Sequence, residues 1–405
     1  MRRQLKKGKC ENIMIRKLVL NLLSMLFRIV PRNKHLWVTG KISAWEYANT
    51  PPAFFDNSKY FFLYLVNNTN EKVYWLSSSE KETRMLKNMN LPVVHFPSLK
   101  GIWLVLRAKF SFHHYGPDQL DHILQRGSVQ LDFWHGTPLK KIRYDVVGKP
   151  PDKHNLYLDM MNKGGIEYIF STSKYLSEKI LGGAFAASQD KILNFGYPRM
   201  DVMGLDGEDN LIFCKNYSSG LLKYIKMTEK YDKVFIYMPT YRDDDPGYFD
   251  KAGINFKKMS KALEKINGIF FLKLHPLTKH SAIQKYSNIV QISNDVDIYP
   301  FLVYTDFLIT DYSSIFFDYL VLDKEIIFIP YDYENYLSNR ELYFDYNEIT
   351  PGVKYYNFDE FINAFEKIDF LDYSKDRHRV YKMMIKNYNF DACEKTYQFI
   401  KKYYQ

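Results

Sequence analysis

The 405-residue sequence contains only three cysteines, Cys10, Cys214 and Cys393, and they lie far apart in the chain. Disulfide frameworks and zinc sites require more thiols, or thiols at closer spacing, so neither is predicted. Few and widely separated cysteines are typical of proteins from a reducing compartment.

Three catalytic motifs are also lacking. The chain contains no G-x-S-x-G elbow, no G-x-x-x-x-G-K-[ST] phosphate loop and no G-x-G-x-x-G fingerprint. Serine hydrolases, P-loop kinases and dehydrogenases are therefore not predicted. No stretch mixes aromatic residues with Arg and Gly as a single-strand nucleic-acid surface does, so nucleic acid is not an expected partner.

No segment offers the roughly 20 uncharged apolar residues that a transmembrane helix requires. The apolar segment 13–30 follows a basic N-terminus and is interrupted by Lys17, Asn21, Ser24 and Arg28. These four residues are spaced to fall on one helical face. The pattern predicts that residues 1–33 form a basic amphipathic segment that associates with an anionic membrane surface. The alternative is a helix packed on the protein's own surface.

The residues that are abundant favour a large folded protein. Hydrophobic residues make up 46% of the chain and aromatic residues 17%, which is enough for sizeable cores. A chain of this length suits two domains. The formal net charge of +10 favours an anionic partner, such as nucleic acid, a phosphorylated substrate or an acidic membrane. Charge alone does not choose among these.

After Pro31 the sequence alternates short apolar runs with longer polar or helical stretches. Continuously apolar runs are typical of strands buried on both faces of a parallel sheet. They predict two doubly wound α/β domains, at 34–205 and at 206–405 with C-terminal helices, divided near the polar segment 204–210. The predicted strands are 35–40, 60–66, 72–77, 92–96, 109–113, 130–135, 166–171, 191–195, 234–238, 269–274, 288–292, 305–310 and 325–330.

Polar residues follow four of these predicted strands directly. Open parallel sheets bind ligands beyond the carboxyl ends of their strands, so we expect these residues to line one cleft. They are His135, Thr240, Arg242, His275, Asp311, Ser313 and Ser314.

The chemistry of these residue types favours proton and phosphate handling. His135 precedes Gly136, which allows close approach of a substrate hydroxyl to a neutral imidazole acting as general base. Ser313 and Ser314 can begin a helix whose free N–H groups meet a phosphate, or can merely cap that helix. Arg242 could converge on the same anion with its forked donors.

His275 could donate to a phosphate oxygen or to a leaving group, and the alternative is a core histidine held by backbone hydrogen bonds. The three adjacent acids 243–245 resemble a solvated loop more than a metal site. Neither a metal nor another cofactor is predicted.

Five motifs, in order, resemble the CDP-glycerol glycerophosphotransferase family of teichoic-acid and capsule polymer synthesis. They are WHGTPLK at 134–140, GYPR at 196–199, PTYR at 239–242, LHP at 274–276 and TDYSSIFFDY at 310–319. The segment DNSKY at 56–60 is also similar to that family, and the resemblance extends from about residue 34 over nearly the whole chain.

The resemblance implies a GT-B-type fold, in which two Rossmann-like domains face a cleft. It implies an acceptor-side first domain and a CDP-polyol donor-binding second domain. Members of the family act peripherally at the cytoplasmic face of the cell membrane, where a lipid-linked or polymeric glycan acceptor meets the soluble donor.

The resemblance also implies roles for the site residues. His135 would take a proton from the acceptor hydroxyl, which attacks the β-phosphate of CDP-glycerol and expels CMP. The implied donors to the pyrophosphate are Arg242, His275, Ser313 and Ser314, with Thr240 as a further ligand. Asp311 would orient its loop or contact the donor glycerol. Lys140 and Arg199 would hold an acceptor phosphate or position the His135 loop.

Two residues depart from the family pattern, namely Met200 in place of the usual asparagine and Arg143 in place of a small residue. Both departures concern the acceptor side. Three alternatives remain open at this point: a CDP-ribitol ribitolphosphotransferase, a GT-B glycosyltransferase that uses a nucleotide sugar, and a non-enzymatic membrane protein that binds nucleotide or polymer.

Overall fold

The computed structural model describes residues 26–42, 54–121, 123–146, 166–242, 245–281 and 283–404. Within them the chain forms two sheets of parallel strands. The first sheet contains β1 Asn33–Lys41, β2 Lys72–Ser77, β3 Val93–His95, β4 Ala108–His113, β5 Val129–Asp132, β6 Ile166–Phe170 and β7 Ile192–Leu193. The second contains β8 Lys233–Tyr237, β9 Gly268–Leu272, β10 Ile289–Gln291, β11 Phe307–Thr310, β12 Glu325–Phe328 and β13 Val353–Lys354.

Helices connect these strands. The α-helices are α1 Asp56–Asn68, α2 Glu80–Asn88, α3 Leu99–Arg107, α4 Lys174–Leu176, α5 Gly182–Ala184, α6 Pro198–Asp201, α7 Gly207–Tyr217, α8 Leu222–Thr228, α9 Tyr248–Lys251, α10 Phe256–Lys265, α11 Ile315–Tyr319, α12 Tyr333–Asn339, α13 Tyr346–Ile349, α14 Phe358–Asn363, α15 Ser374–Met384 and α16 Ala392–Tyr404. A π-helical turn, Ser177–Leu181, joins α4 to α5.

The strand orders confirm two doubly wound α/β units. The first sheet runs β3-β2-β1-β4-β5-β6-β7 and the second β10-β9-β8-β11-β12-β13, so in each the order reverses beside the first strand. This reversal opens a crevice at the carboxyl ends of β1 and β4, and of β8 and β11. The residues predicted to line a cleft follow β5, β8, β9 and β11, which lie in or beside these crevices.

One predicted strand is wrong. The apolar run 60–66 lies inside the helix α1. This helix is buried on opposite sides, since the Phe61 ring contacts that of Phe112 in the first sheet at 5.0 Å, and Tyr60 stacks on Phe213 of α7 at 5.8 Å. A helix covered all round shows no polar face, so its sequence cannot be distinguished from a buried strand by periodicity.

The C-terminal helices return from the second sheet to the first. Arg377 of α15 pairs with Glu325 of β12, whereas the hydroxyl groups of Tyr404 in α16 and Tyr168 in β6 lie 3.1 Å apart. Of these two helices, α15 contacts the second sheet and α16 contacts the first. The predicted domain boundaries themselves stay predictions.

The predicted membrane-association segment 1–33 lies mainly outside the described residues. Its described end is attached to the first sheet, because the Arg32 guanidinium donates to the carbonyl oxygens of Val105 and Ala108 at 2.7 and 3.3 Å. Leu26 and Ile29 are exposed. Among the described helices, none is both long enough and apolar enough to cross a membrane.

Candidate active site

The loop after β5 presents His135 to the cleft. Trp134 and Gly136 both have positive φ, 56° and 124°, so the backbone turns sharply on each side of the histidine. The turn is held from within the strand, because the Trp134 amide donates to the Asp132 carboxylate at 2.9 Å. Trp134 is buried while His135 is exposed, as a base that must meet a substrate requires.

Hydrogen bonding determines which nitrogen of His135 can act as the base. The Nδ1 atom lies 3.4 Å from the carbonyl oxygen of His114, to which it can only donate. In the neutral ring this leaves Nε2 as the proton acceptor. Its neighbour His114 is buried, and burial lowers the pKa of His114 to about 4, so that ring remains neutral near pH 7.

The surroundings also lower the pKa of His135 below its ordinary value of 6.5. Desolvation by the cleft wall is the main cause. The Asp56 carboxylate opposes it, and the Arg199 cation reinforces it. The imidazole is therefore neutral at neutral pH, which is the form that a general base needs.

Arg199 is a buried cation that joins the two domains at this loop. Its Nη1 donates to Asp56 at 2.9 Å and to the carbonyl oxygen of His135 at 3.0 Å. Its Nε and Nη2 donate to Asp318 of α11 at 2.9 and 2.6 Å. With these donors engaged, the geometry favours the second of its two predicted roles, positioning of the His135 loop, over direct binding of an acceptor phosphate.

Ser314 of the second domain faces the same loop. A methyl group added at Gly136 would lie 3.8 Å from the Ser314 hydroxyl and would overlap the Arg199 guanidinium. Ser313 and Ser314 are half-buried, and Ser314 makes no capping bond to α11. The loop that carries the predicted base therefore approaches Ser314 of the second domain.

Arg242, which follows β8, is buried and its charge is paired. Its side chain is 7% exposed, and four of its N–H groups are engaged by Asp332, Asp311 and the Thr240 carbonyl. The rings of Tyr248, Tyr312 and Tyr336 pack within about 5 Å of the guanidinium. The guanidinium therefore neutralises two carboxylates, Asp311 and Asp332. Its predicted role as a donor to the pyrophosphate stays a prediction.

Asp311 is fully buried and is part of the same cluster. Its carboxylate accepts from Arg242 at 2.8 Å and from the Thr240 amide at 2.8 Å. Of its two predicted roles, orientation of the loop fits this burial and contact with the donor glycerol does not. The Thr240 hydroxyl has no hydrogen-bond partner among the described residues and remains a candidate donor ligand.

His275 is exposed beyond β9, beside the loop that carries Thr240 and Tyr241. Its ring stacks on Tyr241 at a centroid distance of 4.6 Å, and its Nδ1 accepts from the Leu277 amide at 3.2 Å. Because Nδ1 accepts, Nε2 carries the hydrogen of the neutral ring and can donate it. This arrangement fits the predicted donor to a phosphate or leaving group.

Lys140 lies where the His135 loop reaches the second domain. Residues 139–142 pair with residues 341–343, since Lys141 N donates to Glu341 O at 2.9 Å and Tyr343 N donates to Leu139 O at 3.0 Å. The ammonium of Lys140 is over the Tyr336 ring at 5.5 Å. The structure thus brings Lys140 to the edge of the cleft, near the Arg242 cluster.

Arg143, one of the two departures from the family pattern, packs behind the loop. Its guanidinium lies over the rings of Trp134 at 4.7 Å and Phe185 at 4.2 Å, and 3.7 Å from the Asp132 carboxylate. It therefore supports Trp134 from below. The second departure, Met200, is buried in the core.

Sequence reasoning assigned no role to Asp56, Asn57 or Asp318, although all three lie inside the quoted motifs. Asp56 and Asn57 were missed because they precede the wrongly predicted strand 60–66, whereas site residues were expected after strands. Asp318 was missed because it is a single polar residue within an apolar helix. Within the described parts of the chain, no group of three or more His, Cys, Asp or Glu could hold a metal. Asp243 and Asp244 lie outside them.

Comparison with known proteins agrees with this architecture. The CDP-Glycerol:Poly(glycerophosphate) glycerophosphotransferase family profile matches residues 41–402. A teichoic acid glycerol-phosphate transferase of Staphylococcus aureus is 29% identical over 368 residues, 88% of this chain and 90% of that protein. A teichoic acid poly(glycerol phosphate) polymerase of Bacillus spizizenii is 28% identical over 374 residues, 87% of this chain and 89% of that protein.

A solved structure of the wall teichoic acid polymerase TagF shares the fold. It superimposes with a TM-score of 0.75 at 23% identity, covering 97% of this chain and 95% of that chain. Another structure of TagF is a histidine-to-asparagine variant soaked with CDPG, again with a TM-score of 0.75. The family match covers most of the sequence, and the chain therefore belongs to the CDP-glycerol:poly(glycerophosphate) glycerophosphotransferase family.

Proposed function

We propose that this protein transfers glycerol phosphate from CDP-glycerol to a hydroxyl group of a lipid-linked or polymeric glycan acceptor and releases CMP. The observation that carries this proposal is the placement of His135. Its neutral, cleft-facing imidazole lies in a loop that meets Ser314 of the opposite domain. Family membership supplies the reaction class, and the soak of a TagF variant with CDPG supports the donor.

In this proposal Nε2 of His135 removes the proton of the acceptor hydroxyl. The hydroxyl oxygen forms a bond to the β-phosphorus of CDP-glycerol, and the bond between that phosphorus and the bridging oxygen breaks. CMP leaves with the bonding electrons, and the proton remains on the imidazole until solvent removes it. The lowered pKa of His135 keeps the starting form unprotonated.

Negative charge accumulates on the pyrophosphate during this displacement, so fixed donors that contact it lower the barrier. We assign this task to the hydroxyls of Ser313 and Ser314 and to Nε2 of His275, with the Thr240 hydroxyl as a further ligand. We also assign Lys140 to the phosphate of a polymeric acceptor. No metal or other cofactor is assigned.

A parallel donor assay tests the proposal. Purified protein with a polyol-phosphate acceptor is expected to release CMP faster from CDP-glycerol than from CDP-ribitol, and to do so in the presence of EDTA. Faster release from CDP-ribitol would identify a ribitolphosphotransferase. Transfer of a sugar from a nucleotide sugar, with no CMP from either polyol donor, would replace the proposal by a glycosyltransferase. No turnover with any donor would leave a binding protein.

We also propose that the N-terminal segment associates peripherally with an anionic membrane, at the cytoplasmic face. Exposed Leu26 and Ile29 continue its apolar character into the described part of the chain, while Arg32 attaches this part to the first sheet. The relatives named above are teichoic acid enzymes. In this proposal the same chemistry could also serve the synthesis of a capsular polymer.

Deletion of residues 2–25 is expected to abolish sedimentation with vesicles that contain anionic lipid, because the basic apolar segment is removed. Turnover on a soluble acceptor is expected to change less than threefold, since the contacts of Arg32 remain. Vesicle sedimentation with the intact protein as control is the measurement. Equal binding by both proteins would contradict membrane association through this segment.

A further inference from the structure

The first turn of α1, residues 56–60, uses five consecutive side chains to contact different parts of the molecule. All five residues are buried, with exposed fractions of 9% or less. None is assigned a step in the proposed reaction. Buried polar groups are costly unless they are satisfied, so five in succession require a structural or functional reason.

Asn57 holds both chain segments that flank the imidazole. Its side-chain amide donates to the carbonyl oxygen of Trp134 at 2.8 Å, and its side-chain oxygen accepts from the backbone amide of Arg199 at 3.1 Å. Arg199 in turn donates to the carbonyl oxygen of His135 at 3.0 Å. One fully buried side chain therefore fixes the residue before the base and the cation that binds the base's own backbone.

The neighbours of Asn57 hold the remaining groups around His135. Asp56, with φ of 61°, accepts from Arg199 at 2.9 Å. The Ser58 hydroxyl lies 2.7 Å from Nδ1 of His114, whose carbonyl oxygen is the partner of His135 Nδ1. Three consecutive residues thus bind Arg199 and His114, the two residues that hydrogen-bond to His135 in the described part of the chain.

The same turn is attached to the second domain. Lys59 and Tyr60 both donate to the Asp297 carboxylate, at 3.0 and 2.8 Å, and Lys59 also donates to Ser218 at 2.9 Å. Arg199 provides a second attachment through Asp318, which belongs to the helix that follows Ser313 and Ser314. Two buried ion pairs, Lys59–Asp297 and Arg199–Asp318, therefore fix the position of the base relative to the donor-side domain.

We propose that the turn 56–60 is the positioning element of the active site, which fixes the His135 imidazole relative to the phosphate-binding side of the cleft through Asn57 and Arg199. This inference rests on the proposed function for its kinetic consequence only. Displacement of a catalytic group by about 1 Å can reduce a rate about 100-fold, so a buried network is an effective means to hold it.

The first test replaces Asn57 by aspartate, which keeps the oxygen that accepts from Arg199 and removes the donor to Trp134. We expect kcat for CMP release to fall about 100-fold, with KM for CDP-glycerol changed less than threefold, because no donor contact is lost. Asn68→Asp, at the exposed end of the same helix, is the matched control and should retain wild-type kcat. Asn57→Leu, which has similar size and no hydrogen bonds, should behave as Asn57→Asp.

An Asn57 variant with wild-type kcat, or one that loses kcat and donor affinity together, would overturn the inference. Thermal unfolding of each variant separates misplacement from loss of the fold. If a variant does not fold, the second test decides the question, because it uses a different side chain.

The second test measures the pKa of His135 directly, by NMR titration of its imidazole, and needs no turnover. The charged and titratable groups of the described residues that face this ring are Asp56 from α1, His114 and Tyr115 after β4, Asp132 from β5 and Arg199 from α6. Asp56→Asn removes an anion and should lower the pKa of His135, whereas Arg199→Met removes a cation and should raise it. Ser281→Ala, which removes a hydroxyl that donates to Asp250, should leave it unchanged.

A lower pKa of His135 in Asp56→Asn and a higher one in Arg199→Met would support the proposal that the turn 56–60 sets the environment of the base. No shift in either variant, or shifts of equal sign, would overturn it. This readout does not depend on CMP release, so the two possible failures can be distinguished. If only the inference fails, the wild-type protein still releases CMP. If the proposed function fails, it does not.

Discussion

Replacement of His135 by asparagine is expected to reduce kcat for CMP release about 1,000-fold, the range expected when a general base is lost. Asparagine can still donate to the His114 carbonyl, so the loop conformation should be retained. KM for CDP-glycerol should change little, because the proposed donor ligands belong to the second domain. Steady-state kinetics with saturating acceptor provide the measurement.

Two controls accompany this prediction. His35→Asn changes an exposed histidine that pairs with Glu71 at 3.3 Å, far along β1 from the cleft, and should leave kcat unchanged. In the wild type, the rate should decline on the acid side with a midpoint below pH 6.5, because protonation removes the base and the pKa of His135 is lowered. A fully active His135→Asn enzyme would show that another group takes the proton.

Gly136→Ala is expected to reduce kcat at least 100-fold. Gly136 has φ of 124°, a conformation that alanine rarely adopts, and the added methyl group would overlap the Arg199 guanidinium. Arg199 cannot move aside cheaply, because Asp56 and Asp318 hold it from two domains. The base and the phosphate-binding serines should therefore lose their relative placement. Kinetics and thermal unfolding of the purified variant check this result.

Gly253→Ala is the control that introduces backbone strain without a contact to Arg199. Gly253 also has positive φ, 66°, but a methyl group there would meet nothing within 4 Å. It should lower stability by about 1 kcal/mol and leave kcat unchanged. If Gly136→Ala were as active as Gly253→Ala, the packing of the His135 loop against Arg199 would not matter for catalysis.

The sequence was sufficient to predict the parallel sheets, because strands buried on both faces are continuously apolar and the polar residues after them mark the carboxyl ends. The same reasoning failed at 60–66, where a helix buried on opposite sides carries the same apolar pattern. Strand β13, Val353–Lys354, is only two residues long and carries no apolar run.

The candidate site was predictable at the level of residues but not of contacts. His135 and His275 are exposed after β5 and β9, and Ser314 lies near the His135 loop, while the roles predicted for them stay predictions. Arg242 and Asp311 are adjacent to the cleft but face inward and neutralise one another, and only the fold shows that their charges are already paired. Sequence spacing reports which strand end a residue follows; it does not report which way a long charged side chain turns.

The mass of the acceptor after incubation with CDP-glycerol tests the central claim most directly. We predict that the wild-type protein increases the mass of a defined acceptor by whole glycerol phosphate units, with one CMP released for each unit, and that His135→Asn leaves the acceptor mass unchanged over the same time. An unchanged acceptor with the wild-type protein, or equal addition by wild type and His135→Asn, would contradict the account.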